Sequence, residues 1–146
     1  NHLQLCYIII MNEQIIKKSS FKVEKGDAVN VSEYKYYVSR SAYKLANFLG
    51  ELQLNVSNQV ALDIGSSTGG FTQVLLEANV AEVSAVDVGT DQLHQSLRND
   101  EKVFVYENCD IRDFESDKSF DLVVSDVAFI SLLHILDDVD RLSSAD

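Results

Sequence analysis

Four short apolar runs with little polar alternation mark the chain from residue 60 onward: Val60–Ile64, Val83–Val88, Lys102–Tyr106 and Asp121–Ser125. A strand covered on both faces has no side left for water, so it loses the in–out alternation of a half-buried strand; parallel strands are the usual case. Between the first three runs lie segments of helical spacing. One is Gly70–Ala78, with Phe71, Val74, Leu75 and Ala78 on one face, and the other is Gln92–Leu97. The third connection, Ile111–Ser119, is short for a crossover between parallel strands. A last helix is expected over Ser131–Leu142, built on Leu132, Ile135, Leu136 and Val139. Alternating β and α segments predict an open α/β sheet.

The chain ahead of this region reads differently. Ala42, Leu45, Ala46, Leu49 and Leu52 recur at helical spacing, with Ser39 or Ser41 as a possible N-cap. Arg40 and Lys44 are four apart and are expected on one flank of that helix. Tyr7–Ile10 and Gln14–Ile16 are β-type runs separated by Asn12-Glu13. Phe21–Val23 and Ala28–Val31 form a second expected pair around the turn-type cluster Glu24-Lys25-Gly26-Asp27. Glu33–Val38 reads as a linker or a strand. A small β-rich piece with a linker over 1–38 and an α/β domain over 39–146 is the expected organisation.

Length and charge refine this picture. At 146 residues the chain can hold one domain with a core, or one domain plus a fragment of another. It opens on Asn1, closes on Ser143-Ser144-Ala145-Asp146 and lacks proline, so a partial chain is expected. Net charge is −11, unevenly spread. Residues 1–50 hold seven Lys+Arg against four Asp+Glu, and residues 51–146 hold five against nineteen. A solvated acidic surface accounts for that asymmetry; so does a basic RNA-facing segment joined to a pocket for a cationic small molecule. No apolar run approaches the roughly 18 residues that span a bilayer, and the N-terminus carries no signal-peptide pattern. Cys6 and Cys109 lie far apart without metal-type spacing, consistent with free thiols in a cytoplasmic protein. His94 and His134 have no metal-like partners in sequence and read as surface or packing residues.

Each strand of the α/β region ends in, or is soon followed by, an aspartate: Asp63, Asp87, Asp110 and Asp126. In a parallel sheet the carboxyl ends share one edge, where ligands bind at the topological switch point. A single aspartate after a strand is usually a turn or cap residue, but four in register beside a glycine loop suggest a ligand crevice. That loop is Asp63-Ile64-Gly65-Ser66-Ser67-Thr68-Gly69-Gly70-Phe71-Thr72. Glycines allow a tight turn and close approach of a ligand to the backbone, while the helix that follows offers its N-terminal amides. Asp63 stands where the dinucleotide pattern has its first glycine, and a carboxylate there would repel a pyrophosphate. It would favour an amino group and a sulfonium, the charges of S-adenosylmethionine. Asp87, 24 positions later, suits ribose hydroxyls, and Asp110 is then expected to face a base edge.

The blocks ALDIGSSTGGFT, AVDVGTDQLHQSLRND and DLVVSDVAFISL resemble signature blocks of the hemolysin A-type (TlyA) rRNA methyltransferases, within the FtsJ-like ribose 2′-O-methyltransferases. YVSRSAYKL, residues 37–45, is similar to the block before that family's catalytic domain, and residues 8–31 resemble the tail of its ribosomal-type RNA-binding domain. Ser41-Ala42 depart from the family, where glycine is common, as do Gln95-Ser96 in the second block. The resemblance implies a Rossmann-like S-adenosylmethionine-dependent methyltransferase sheet acting on an rRNA ribose, with rRNA or ribosomal subunits as partners and no membrane. It implies Lys44 and Asp126 as the first lysine and the aspartate of a Lys-Asp-Lys-Glu site; the second lysine, the central base in such enzymes, and the glutamate belong to a C-terminal half beyond these residues, so the chain by itself is expected to be inactive. The C-terminal strands of such a sheet are also missing, which would leave the last strand with an open edge. Asp63, Gly65, Ser66, Ser67, Thr68, Gly69, Gly70, Phe71, Asp87, Val88, Asp110 and Ile111 are then expected at the cofactor, and Lys35 and Arg40 at RNA. Tyr34, Tyr36 and Tyr37 suit base stacking, or equally the packing of a linker. A non-catalytic binding module and a membrane-active hemolysin are the competing readings; the latter lacks a basic amphipathic helix in the sequence.

Overall fold

A computed structural model describes residues 5–16, 20–127 and 131–144, with the backbone alone for 5–8 and 32–35. The chain divides into two compact units, 1–36 and 37–146.

The first unit is a three-stranded antiparallel sheet of β1 (Leu5–Met11), β2 (Gln14–Ile16) and β3 (Val29–Lys35), in the order β2-β1-β3. Asn12 and Glu13, both with positive φ (47° and 68°), turn β1 into β2 with Met11 opposite Gln14. That is the local twist a two-residue hairpin needs. Asn12 also reaches the second turn: its Nδ2 donates to Asp27 Oδ1 (3.0 Å) and its Oδ1 accepts from the Ala28 amide (3.2 Å). The expected strand over Phe21–Val23 is not formed, and both side chains are largely exposed. β3 pairs with β1 instead, from Met11↔Val29 to Leu5↔Lys35, which takes up the backbone groups that Phe21–Val23 would have matched.

The second unit begins with α1 (Ala42–Glu51), followed by β4 (Val60–Ile64), α2 (Gly70–Glu77), β5 (Glu82–Val86), α3 (Gln95–Arg98), β6 (Val103–Tyr106), β7 (Leu122–Ser125) and α4 (Leu136–Leu142). Its four strands are parallel in the order β6-β5-β4-β7. β4 is therefore central: the chain winds outward through β5 and β6, then returns to its other side for β7. That reversal is the doubly-wound switch point.

Alternation along β4 sorts the core. Ala61 joins Ala42, Leu45, Val74, Leu75, Val80 and Val83 on the face covered by α1 and α2. Leu62 and Ile64 join Val86, Ile111, Phe114, Phe120, Ile135 and Leu142 on the opposite face. Ala85, Leu93, Leu97 and Val103 form a smaller cluster beneath α3. Both long N-terminal helices end without glycine: Gln53 (φ 50°) and Asn79 (φ 60°) take the left-handed position, and Leu54 and Val80 then donate back to Leu49 and Leu75.

Two helices differ from the expectation. α3 is four residues long, because His94 caps it late by accepting from the Ser96 amide. The last expected helix breaks at Ile135 into a 3₁₀ turn (Leu132–His134) and α4. Buried Ile135 and Leu142 anchor this segment, while Leu132 and Leu136 are exposed rather than on a core face.

Candidate cofactor and active site

The loop after β4 is shaped by its contacts with β5 and with the helices around it. The amides of Gly65 and Ser66 both donate to Val86 O (2.8 and 3.1 Å), which binds the loop to the end of β5. Gly65 has φ 76°, and a Cβ there would lie 2.7 Å from Val127 Cγ1. Gly69, with φ 96°, is the N-cap of α2, and a Cβ on it would overlap Leu97 and Leu93. At Gly70 a Cβ would overlap the hydroxyls of Ser39 and Ser41, whose Oγ atoms are 2.5 Å apart at the start of α1. The glycines thus let the N-termini of α1 and α2 and the β5–α3 region close around one loop.

A cleft of about 230 Å³ opens at this point, lined by Ser39, Ser41, Gly65, Ser66, Ser67, Thr68, Phe71 and Asp126. Asp126 follows β7, so the cleft lies at the β4/β7 switch point. Lys44, in the first turn of α1, spans to it: Nζ is 2.8 Å from Asp126 Oδ1 and 2.9 Å from Oδ2. The pair brings together two residues 82 positions apart, both substantially exposed to solvent.

Asp87 stands beside the loop with 9% of its surface exposed. Its Oδ2 accepts from the Ser67 amide and its Oδ1 from the Gly89 amide, each at 2.7 Å. A carboxylate has about four acceptor positions, so two amides leave capacity for further donors. Asp63 is not on the cleft wall. It is buried on the α2 face of β4 and accepts from Thr72 Oγ1 at 2.6 Å. Burial is the main cause that pushes its carboxyl up to about 6; the Thr72 hydrogen bonds oppose the rise, and the charges of Asp87 and Asp126 add to it.

The remaining expected residues are spread more widely. Asp110 is gripped by its neighbour: Arg112 donates from Nε (2.9 Å) and Nη2 (2.6 Å), and this hydrogen bonding holds the carboxyl down to about 2. The Val88 side chain is exposed, whereas Ile111 is buried with Phe114 and Phe120 in the lower core. Arg40 precedes α1 and is exposed, so it does not share a helix flank with Lys44. Lys35 ends β3 in the first unit, and its side chain lies outside the described residues, as does that of Tyr34. Cys109 is a free, part-buried thiol whose pKa burial raises. No group of three or more metal-ligating side chains occurs among the described residues, and no helix among them is long and apolar enough to cross a membrane. Ser39, Ser41 and Thr72 were not singled out as site residues from sequence. Their signal was present in part, as two serines before a helix and a hydroxyl nine residues after Asp63.

Sheet order, glycine loop and strand-end carboxylates together define a Rossmann-like α/β domain of the methyltransferase type. The chain belongs to the FtsJ-like methyltransferase family, whose model matches residues 37–145. It is 50% identical over 107 residues to the 23S rRNA (cytidine-2′-O)-methyltransferase TlyA of Campylobacter jejuni, covering 73% of this chain and 42% of that protein. It is 37% identical over 131 residues to Hemolysin A of Brachyspira hyodysenteriae, covering 87% and 55%. A solved structure of a candidate hemolysin from Lactococcus lactis superimposes with a TM-score of 0.70 at 40% identity, covering 74% of this chain and 54% of that one. The chain thus spans about half the length of the relatives it matches.

Proposed function

We propose that this chain carries the cofactor half and the first two active-site residues of an S-adenosylmethionine-dependent rRNA ribose 2′-O-methyltransferase, a soluble cytoplasmic enzyme. The observation that carries the reading is the Lys44–Asp126 pair, closed at 2.8 Å on the rim of a cleft of glycines and hydroxyls at the switch point of the sheet. The donor set supports the cofactor. Hydroxyls, open backbone and carboxylates suit a ligand with an ammonium, a sulfonium and ribose hydroxyls, and suit a pyrophosphate poorly. Gly65, Ser66, Ser67, Thr68, Gly69, Gly70 and Phe71 would hold it, with Asp63, Asp87, Val88, Asp110 and Ile111 along the neighbouring strand ends.

S-adenosylmethionine, when bound, supplies an electrophilic methyl group. The acceptor hydroxyl must lose its proton as it attacks, and general-base help is worth roughly 10²–10⁴-fold. The resemblance gives that proton to the second lysine, in the part of the family's domain beyond these residues; Lys44 and Asp126, held together at 2.8 Å, would orient the acceptor hydroxyl and that base at the cleft. Alignment of acceptor and donor accounts for much of the remaining acceleration. Lys35 and Arg40, with the tyrosines around them, face the RNA, and residues 1–38 form the end of an RNA-binding domain.

The test is incubation of the full-length protein that contains this chain with rRNA and methyl-labelled S-adenosylmethionine. Label in the RNA that disappears with Lys44→Ala supports the proposal. Calorimetric binding of the cofactor without transfer would instead identify a non-catalytic binding module.

A further inference from the structure

Glu107 lies outside the cleft, yet it organises more backbone than any carboxylate lining it. It directly follows β6, and its side chain is 11% exposed. Oε2 accepts from the Asp91 amide (2.9 Å). Oε1 accepts from the amides of Gln92 (2.9 Å) and Leu93 (3.0 Å) and from Nη2 of Arg98 (2.7 Å). Four donors thus converge on one side chain. The three amides are consecutive and belong to the turn between β5 and α3, where Asp91 is left-handed (φ 52°). The next two residues continue the seam: the Asn108 amide donates to Gly89 O (2.8 Å) and the Cys109 amide to Asp87 O (3.0 Å). Segment 107–109 is therefore stitched antiparallel to segment 87–93: Glu107 closes one end of the seam, and Asp87, opposite Cys109, meets Asp110 at the other.

We propose that Glu107 is a positioning residue for the adenosyl half of the cofactor, fixing the spacing between Asp87 and Asp110. The inference rests on the cofactor reading above, in which those two carboxylates meet the ribose and the base edge. The chemistry demands an ionised carboxylate. Charge-assisted bonds to four donors need its several lone pairs and its negative charge. Glutamine has one acceptor oxygen and would turn an NH₂ toward N–H groups. The Arg98 guanidinium balances the charge and ties the seam to α3.

The test is calorimetric titration of the full chain and of Glu107→Gln with S-adenosylhomocysteine at 25 °C, alongside amide hydrogen exchange at Asp91–Leu93. The expected result is about tenfold weaker binding, the loss of one charged hydrogen bond's worth of pre-organisation, with faster exchange confined to that turn. A variant that unfolds at a lower temperature but binds with unchanged affinity would overturn the proposal, because its role would then be structural only. If Glu107→Gln does not fold, Arg98→Gln keeps the three amide bonds and removes the cation. A loss of about threefold is then expected, and unchanged affinity again overturns the proposal. Absence of binding by the unaltered chain would instead refute the cofactor reading beneath it.

Discussion

Asp63 is buried on the α2 face of β4, where it accepts from Thr72, and Lys44 reaches Asp126 across 82 positions of sequence. Asp63 has a pKa of about 6 against an ordinary 3.8, so the folded chain holds its proton more tightly than the unfolded chain does. Its contribution to stability is therefore present below about pH 4 and is lost as pH rises through 6. Carboxyl ¹³C NMR should show Asp63 titrating near pH 6; a midpoint near 4 would contradict the burial account. Because only the ionised form attracts a cationic ligand, binding of S-adenosylmethionine should strengthen as pH rises from 5 to 7, and this dependence should flatten in Asp63→Asn. The Lys44–Asp126 pair is exposed, and such pairs contribute about 0.2–1 kcal/mol to stability. Lys44→Ala should thus leave the denaturation midpoint nearly unchanged while lowering methyl transfer by the full-length protein roughly 100-fold, through lost alignment.

At the scale of elements, the strands were the most legible part. Val60–Ile64 is a strand over the full expected range, and the other three differ from expectation by one or two residues at their ends. Continuous apolar runs carry that information because both faces of the sheet are covered. Short helices and the N-terminal pairing were less legible. Periodicity cannot show that His94 caps α3 late, that the final helix breaks at Ile135, or that β3 chooses β1 over Phe21–Val23. The glycines were legible as turn formers but not as spacers. Gly70 is where α1 meets α2, and Gly70→Ala must move Ser39 and Ser41 or bend α2. Overpacking of this kind costs about 1–3 kcal/mol. Urea denaturation should report that loss, and transfer should fall as well, since α1 carries Lys44. An unchanged midpoint would mean that the contact between the helices is loose.

Across the whole molecule, charge is divided along the chain: residues 1–50 are net basic and residues 51–146 strongly acidic. That division was plain in the sequence, but its meaning was open. The proposed cofactor, a ligand of positive charge, would give the acidic part a use, and RNA affinity would then fall to the basic N-terminal part. Lys35→Ala and Arg40→Ala should each weaken rRNA binding across sequences and lower the slope of log affinity against log salt by roughly one. A slope unchanged in the double variant would remove both residues from the RNA interface.

In the proposed enzyme the switch-point cleft would hold the methyl donor, and Lys44 and Asp126 would serve a ribose hydroxyl. A 2′-O-methyl group blocks alkaline cleavage at its own nucleotide, so the chemistry can be read from the RNA itself. rRNA treated with the full-length protein that contains this chain and methyl-labelled S-adenosylmethionine, then hydrolysed in alkali, should release label in a resistant dinucleotide, and none with Lys44→Ala. Label recovered only in mononucleotides, as base methylation would give, or label that persists in the variant, would contradict the account.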